Sequence, residues 1–446
     1  MPQEFVKIPN IPVLNAIRPE HARSSDPTLS YPNLAQTVLK HTPYEGMRWE
    51  QFIVAQEGSI DEAENAEALA QQYFLQTAHE LIQADTPESK QIWTRRFTEA
   101  SIELHGQPDP EIAKGLLLQQ HKEFENLIGS PNVSQSQLKW LLKKYDELGV
   151  QEYTELKNTN ENIEKAAQAI ADVLQTRFSG VIDVFKVGVD DDEIKPEEMA
   201  ALFEEALDIL KNENDDWQGW EIELTDDSNL SRVKQKIKVG KNRLPAKRKE
   251  LPGLFAHEVL VHGMRAVNGE KISDELKKGL PGYLAAEEGI AVLAEYGING
   301  DMPPKLIDRY VDIALALGQI TNKPIARKDL FVFAVARNVI RMQANRTEED
   351  IATDSDGTKQ QNQAQKVQTQ ALQHINRVYR GSLGNEYIGV FTKDTEYYKG
   401  LVIISDYIAS KLDEGQTPEE IFDYIMLGKF DPTNKKHEKY IKSMVG

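Results

Sequence analysis

The stretch Leu254-Phe255-Ala256-His257-Glu258-Val259-Leu260-Val261-His262-Gly263 constrains this chain more than any other. It sets two histidines and a glutamate within six positions, among residues that are otherwise apolar or glycine. Such a pattern predicts a helix buried on most sides. Imidazoles and a carboxylate on a buried helix cost free energy unless a partner satisfies them, and a divalent metal suits their chemistry.

The spacing adds a condition. Zinc peptidases that use His-Glu-x-x-His carry their histidines four apart, on one helical face. Here the second histidine follows the first by five, a rotation of about 140° on a regular helix, too far round for one small ion. A one-residue π-bulge between His257 and His262 would absorb the extra residue and realign the rings. The motif therefore predicts a distorted helix. The competing reading is an ordinary core helix whose histidines are satisfied without a metal.

The chain has no cysteine, so a metal has to sit on His, Asp or Glu. A catalytic zinc takes three protein ligands and keeps one position open. The third is expected from Ala285-Ala286-Glu287-Glu288-Gly289-Ile290-Ala291, after a gap that suits a helix-loop-helix return. Adjacent glutamates point about 100° apart on a helix, so one is expected to face the histidines. Glu288 is taken as the ligand and Glu287 as its neighbour, with glycine and alanine letting this helix approach the first closely. Glu258, beside a ligand, is expected to act as general base on the attacking water.

At 446 residues the chain has room for two or three domains. A net charge of −19 argues against nucleic-acid binding. No apolar run approaches the roughly 20 residues that span a bilayer. Met1-Pro2-Gln3-Glu4-Phe5 lacks the pattern of a signal peptide, so a cytoplasmic setting is expected. The division expected is an arm over 1–57, a helical domain over 58–178 and a catalytic domain over 179–446. Helical periodicity covers Ile60–Ala84, Glu88–Leu104, Pro110–Ile128, Gln135–Leu148, Glu152–Phe178, Pro196–Leu210, Pro281–Tyr296, Lys305–Leu317, Lys328–Ala344 and Gln361–Arg380. Strands are predicted at Val181–Val189, Trp220–Leu224 and Arg232–Val239. The fold class is then mainly α with a small antiparallel or mixed β-sheet, an α+β protein.

Ser231 to Lys249 holds nine Lys or Arg and no acid. Two readings fit: an attractor for an acidic peptide beside the site, or lysines that keep an edge strand from aggregating. Asp354-Ser355-Asp356-Gly357 lacks the later ligands of a calcium loop and is read as a polar turn. His21, His41, His79, His105, His121, His374 and His437 show no ligand spacing.

His257-Glu258-x-x-x-His262 together with Glu287-Glu288-Gly289-Ile290-Ala291 resembles the family named for a Gln-Glu-Gly-Leu-Ala motif, the relatives of the microtubule-associated tyrosine carboxypeptidases. Glu287 stands where the family has Gln, and Ile290 where it has Leu. Arg377-Val378-Tyr379-Arg380-Gly381, Phe391-Thr392-Lys393-Asp394, Tyr397, Gly400 and Leu104-His105-Gly106-Gln107-Pro108 are also similar to family segments. The resemblance implies a zincin-like core holding one Zn2+ on His257, His262 and Glu288, with Glu258 as base. It implies a metallocarboxypeptidase acting on the C-terminal tail of a peptide or protein. An oligo- or endopeptidase with the same metal chemistry, and a peptide-binding regulator without turnover, stay open beside it. Arg377, Arg380 and Lys393 are candidates to bind the substrate carboxylate, and Tyr397 to donate to the oxyanion; helix caps and surface ion pairs are the alternative for all four.

Overall fold

Helices make up most of the computed structural model, which describes residues 66–189, 192–227, 230–346, 358–383 and 387–445. The expected N-terminal arm and the Asp354-Ser355-Asp356-Gly357 turn lie outside the described residues. By its contacts the chain forms two units, each assembled from two stretches of sequence. One runs to Leu156 and adds Ile307–Thr395; the other combines Lys157–Leu306 with Glu396–Gly446.

In the first unit the periodic stretches form the helices Ala66–Gln83, Pro87–His105, Pro110–Glu125, Gln135–Glu147, Arg327–Ala344 and Thr358–Val378. Thr86 starts the second with a capping box, its hydroxyl accepting from the Ser89 N–H and its own N–H donating to Ser89 Oγ. Phe74, Phe97 and Phe391 build an aromatic core, and the His105 ring stands edge-on to Phe391 at 5.6 Å. A second, polar core pairs Arg337 with Asp312 and Arg341 with Asp308, and His374 lies 2.6 Å from Asp312. Burial by itself would raise the Asp308 pKa, but the two arginines hold it down at about 2.

The second unit carries the strands. β1 (Glu193–Ile194) pairs antiparallel with β5 (Ala246–Lys247). β2 (Glu221–Thr225), β3 (Leu230–Val233) and β4 (Lys236–Gly240) form a mixed sheet in the order β2-β4-β3. β2 runs parallel to β4, with Ile222 opposite Ile237 and Leu224 opposite Val239; β3 is antiparallel to β4.

Two strand expectations need correction. Val181–Val189 is not a strand: Ser179–Asp183 is α-helical and Val184–Lys186 a 3-10 turn. Val181, Ile182 and Phe185 are the buried members, at helical spacing, and Phe185 packs on Phe203 and Phe255. Val187 and Val189, which a buried strand would enclose, are exposed. Arg232–Val239 is not one strand but a hairpin, with Val233 opposite Lys236 and only Lys234-Gln235 between them. Lys234 adopts the left-handed conformation, φ 55°, that such a turn requires. Lysine is an uncommon residue there, so the sequence carried no turn signal.

Helix boundaries shift as well. The stretch expected from Glu152 begins its α-helix at Lys157, after a 3-10 turn at Val150–Glu152, and that expected from Pro281 begins at Leu284. The Thr395–Asp413 helix lies where the sequence suggested only motif residues. Among the described residues no helix is long and apolar enough to cross a membrane.

Candidate metal centre

Leu251–Phe255 starts as α-helix with Pro252 in its first turn, where the missing N–H costs nothing. The backbone then winds as a π-helix over Ala256–Gly263 and returns to α over Met264–Ile272. The wide turn extends through the whole motif rather than a single residue. Under π winding, residues five apart fall near one face. The His257 and His262 rings accordingly lie 5.0 Å apart, at 78° to each other.

β3 and the Leu284–Asn299 helix both pack on this π segment. The helix brings Glu288 between the rings, its Oε2 3.8 Å from His257 Nε2 and 3.7 Å from His262 Nε2. Those spans are too long for hydrogen bonds. They are close to the ~3.3 Å that separates two tetrahedral ligands on an ion at zinc distances. Glu288 Oε2 is buried and has no hydrogen-bond partner, which a carboxylate oxygen tolerates only with another cation to meet. His257, His262 and Glu288 thus form a group that could hold a metal ion.

Each imidazole is fixed from behind. His257 Nδ1 lies 3.0 Å from Glu295 Oε2, and His262 Nδ1 lies 2.9 Å from Glu287 Oε1. A carboxylate only accepts, so each Nδ1 donates to it, and each Nε2 is the nitrogen turned toward Glu288. Glu287 also accepts from Arg265 Nη1 at 2.5 Å and from Lys429 Nζ at 2.7 Å. Arg265 reaches the Phe430 carbonyl with its other terminal nitrogen.

Burial would raise the Glu287 pKa, but Lys429 and Arg265 hold it well below the usual carboxylate range. Burial likewise lowers the imidazoles, yet Glu288 and Glu295 bring His257 well above its ordinary value, and Glu287 and Glu288 raise His262. Such carboxylate-backed imidazoles are strong bases for a proton or a metal alike.

The expectation that only one of the paired glutamates meets the histidines therefore needs revising. Glu288 faces both Nε2 atoms, and Glu287 reaches His262 from its other nitrogen. The glycine beside them also serves a different neighbour. A Cβ on Gly289 would collide with the backbone of Gly400, and one on Gly400 with the Ala285 carbonyl, so the close approach is to the Thr395–Asp413 helix. Glu258 leaves the π segment with no hydrogen bond or ion pair among the described residues.

Three residues of this arrangement were missed from the sequence. Glu295 follows Glu288 by seven, hence two turns along one face, and Arg265 follows His262 by three; both spacings were available. Lys429 lies 142 positions from Glu287 and had no local signal. Of the residues expected to bind substrate, Tyr397 belongs to the unit of the candidate metal group, one turn before Gly400. Arg377, Arg380 and Lys393 belong to the other unit. There Arg377 Nε lies 2.5 Å from Asp394 Oδ2, and Arg380 covers the Phe391 ring at 5.2 Å.

The fold and the His–His–Glu cluster define a mainly helical α+β protein with a candidate metal centre on a π-wound helix. The chain matches the microtubule-associated tyrosine carboxypeptidase family over residues 142–317 and 358–442, more than half its length, and belongs to that family. No curated protein and no solved structure matches it.

Proposed function

We propose that the chain is a zinc-dependent carboxypeptidase with a zincin-like core, which removes the C-terminal residue from a peptide or protein tail. The observation that carries this reading is the buried, unpartnered Glu288 oxygen facing two imidazole nitrogens. Family membership supports the peptidase class and a C-terminal tyrosine as the residue removed.

His257, His262 and Glu288 would hold the ion, a nitrogen and oxygen donor set that suits zinc. Zn2+ supplies Lewis-acid chemistry at its open position when bound there. Glu258 takes a proton from the attacking water as the oxygen bonds to the scissile carbonyl carbon. It then passes that proton to the nitrogen of the breaking C–N bond, so a carboxylate and a free amino acid leave. Among the described residues no hydrogen bond ties Glu258 elsewhere. Glu295 and Glu287 keep the imidazole nitrogens aimed at the ion. Tyr397 remains the proposed oxyanion donor, and Arg377, Arg380 and Lys393 remain the candidates proposed for the substrate carboxylate.

Metal analysis of purified protein tests the reading. About one zinc per chain is expected in the wild type and none in His257→Ala. A wild-type protein that binds no zinc, and whose activity survives chelation, would overturn it.

A further inference from the structure

Resting on the carboxypeptidase reading, we infer that Lys429 is a positioning residue of the metal centre, and that the segment carrying it, residues 426–430, is a latch that holds His262 in place. The two meet at Glu287. Its Oε1 lies 2.9 Å from His262 Nδ1 and 2.7 Å from Lys429 Nζ. Its Oε2 accepts from Arg265 Nη1 at 2.5 Å, and Arg265 Nη2 donates to the Phe430 carbonyl at 2.6 Å. Both oxygens of the carboxylate are thereby tied to one short segment, once through an ammonium and once through a guanidinium.

That segment is itself fastened to the chain that follows the π-wound helix. The Lys429 N–H donates to the Leu276 carbonyl at 2.8 Å, and the Leu280 N–H donates to the Lys429 carbonyl at 2.9 Å. Asn268 Nδ2 donates to the Met426 carbonyl at 2.9 Å. A Cβ on Gly428 would come within 2.9 Å of Leu276 Cβ, so glycine lets the two stretches run this close. Phe430 then enters a core with Leu276, Leu280 and Ile441. All these residues belong to the same unit as His257, His262 and Glu288.

Stability alone does not account for a lysine at this place. Lys429 is 4% exposed, and apolar side chains of similar volume commonly replace a buried ion pair at no loss of stability. What the ammonium adds is direction. A carboxylate that holds an imidazole from behind sets where the other ring nitrogen points. With both oxygens tied, Glu287 cannot swing, and His262 Nε2 stays turned toward Glu288. Coupling of this kind is reciprocal. An ion that fixes His262 also fixes Glu287, and through it residues 426–430.

Hydrogen–deuterium exchange of the full chain, zinc-loaded and after chelation, tests this at the amides of Leu280 and Lys429, whose hydrogen bonds close the latch. Zinc is expected to slow both by about 5- to 150-fold, the span of coupling between linked sites. In Lys429→Met, under saturating zinc, that ratio should fall at least about threefold, and Lys429→Arg should recover part of it. Ile441→Ala is the control: it loosens the same core and speeds exchange in both states, but keeps the wild-type ratio. Equal exchange with and without zinc, in wild-type protein whose zinc content is confirmed, overturns the inference and leaves the carboxypeptidase reading intact. That comparison needs no variant to fold. A Lys429→Met protein that keeps the full ratio overturns the inference as well. If the wild type binds no zinc, both fall.

Discussion

His262 Nδ1 donates to Glu287 across 2.9 Å, and the same carboxylate is held by Arg265 and Lys429. One buried glutamate thereby ties an imidazole of the candidate metal group to two cations. Glu287→Gln should keep the fold but loosen the metal about 10- to 100-fold, and Glu295→Gln should act similarly through His257. Titration with a competing chelator at fixed pH measures this, and unchanged affinity in both variants would remove the carboxylates from the account.

The crossing of Gly289 and Gly400 makes a steric prediction. Gly400→Ala puts a methyl group into the Ala285 carbonyl, one turn before Glu288, and should destabilise the protein by about 1–3 kcal/mol. Gly180, with open space around it and an ordinary φ, is the control: Gly180→Ala should be neutral or stabilising by up to about 1 kcal/mol. Urea titrations of the two variants compare them, and equal stability would mean that the helices can part without cost.

His105 provides a pH dependence away from the metal. Burial, with Lys393 adding to it, pushes the imidazole pKa down from 6.5 to about 3. Between those values the unfolded chain binds the proton and the folded chain does not. Stability should therefore be complete above pH 6.5 and fall as pH drops toward 3, by about 1.4 kcal/mol per unit at most from this group. His105→Phe, placed against Phe74 and Phe391, should flatten that part of the stability curve. An unchanged slope would show that other groups set it.

Much of this was legible in the sequence, and the limits are physical. The five-residue histidine spacing demanded a departure from α winding, and π winding over Ala256–Gly263 answers it. Long amphipathic helices were readable because their burial repeats along the chain. Val181–Val189 misled because β-branched residues in a short apolar run fit either structure, and only Phe185 packing on Phe203 and Phe255 selects the helix. The Arg232–Val239 hairpin was hidden by a turn made from Lys and Gln. Within the site, groups on the two motifs could be found by periodicity. Lys429 meets Glu287 only once distant segments have folded together.

The central claim is that Glu258, beside a metal on His257, His262 and Glu288, hydrolyses the last peptide bond of a chain. Mass spectrometry of a tyrosine-ended peptide incubated with zinc-loaded protein tests it most directly. The expected result is loss of the single C-terminal residue with wild type, and a rate lower by at least about 100-fold with Glu258→Gln at unchanged zinc content. Internal cleavage products, or equal trimming by Glu258→Gln, would contradict it.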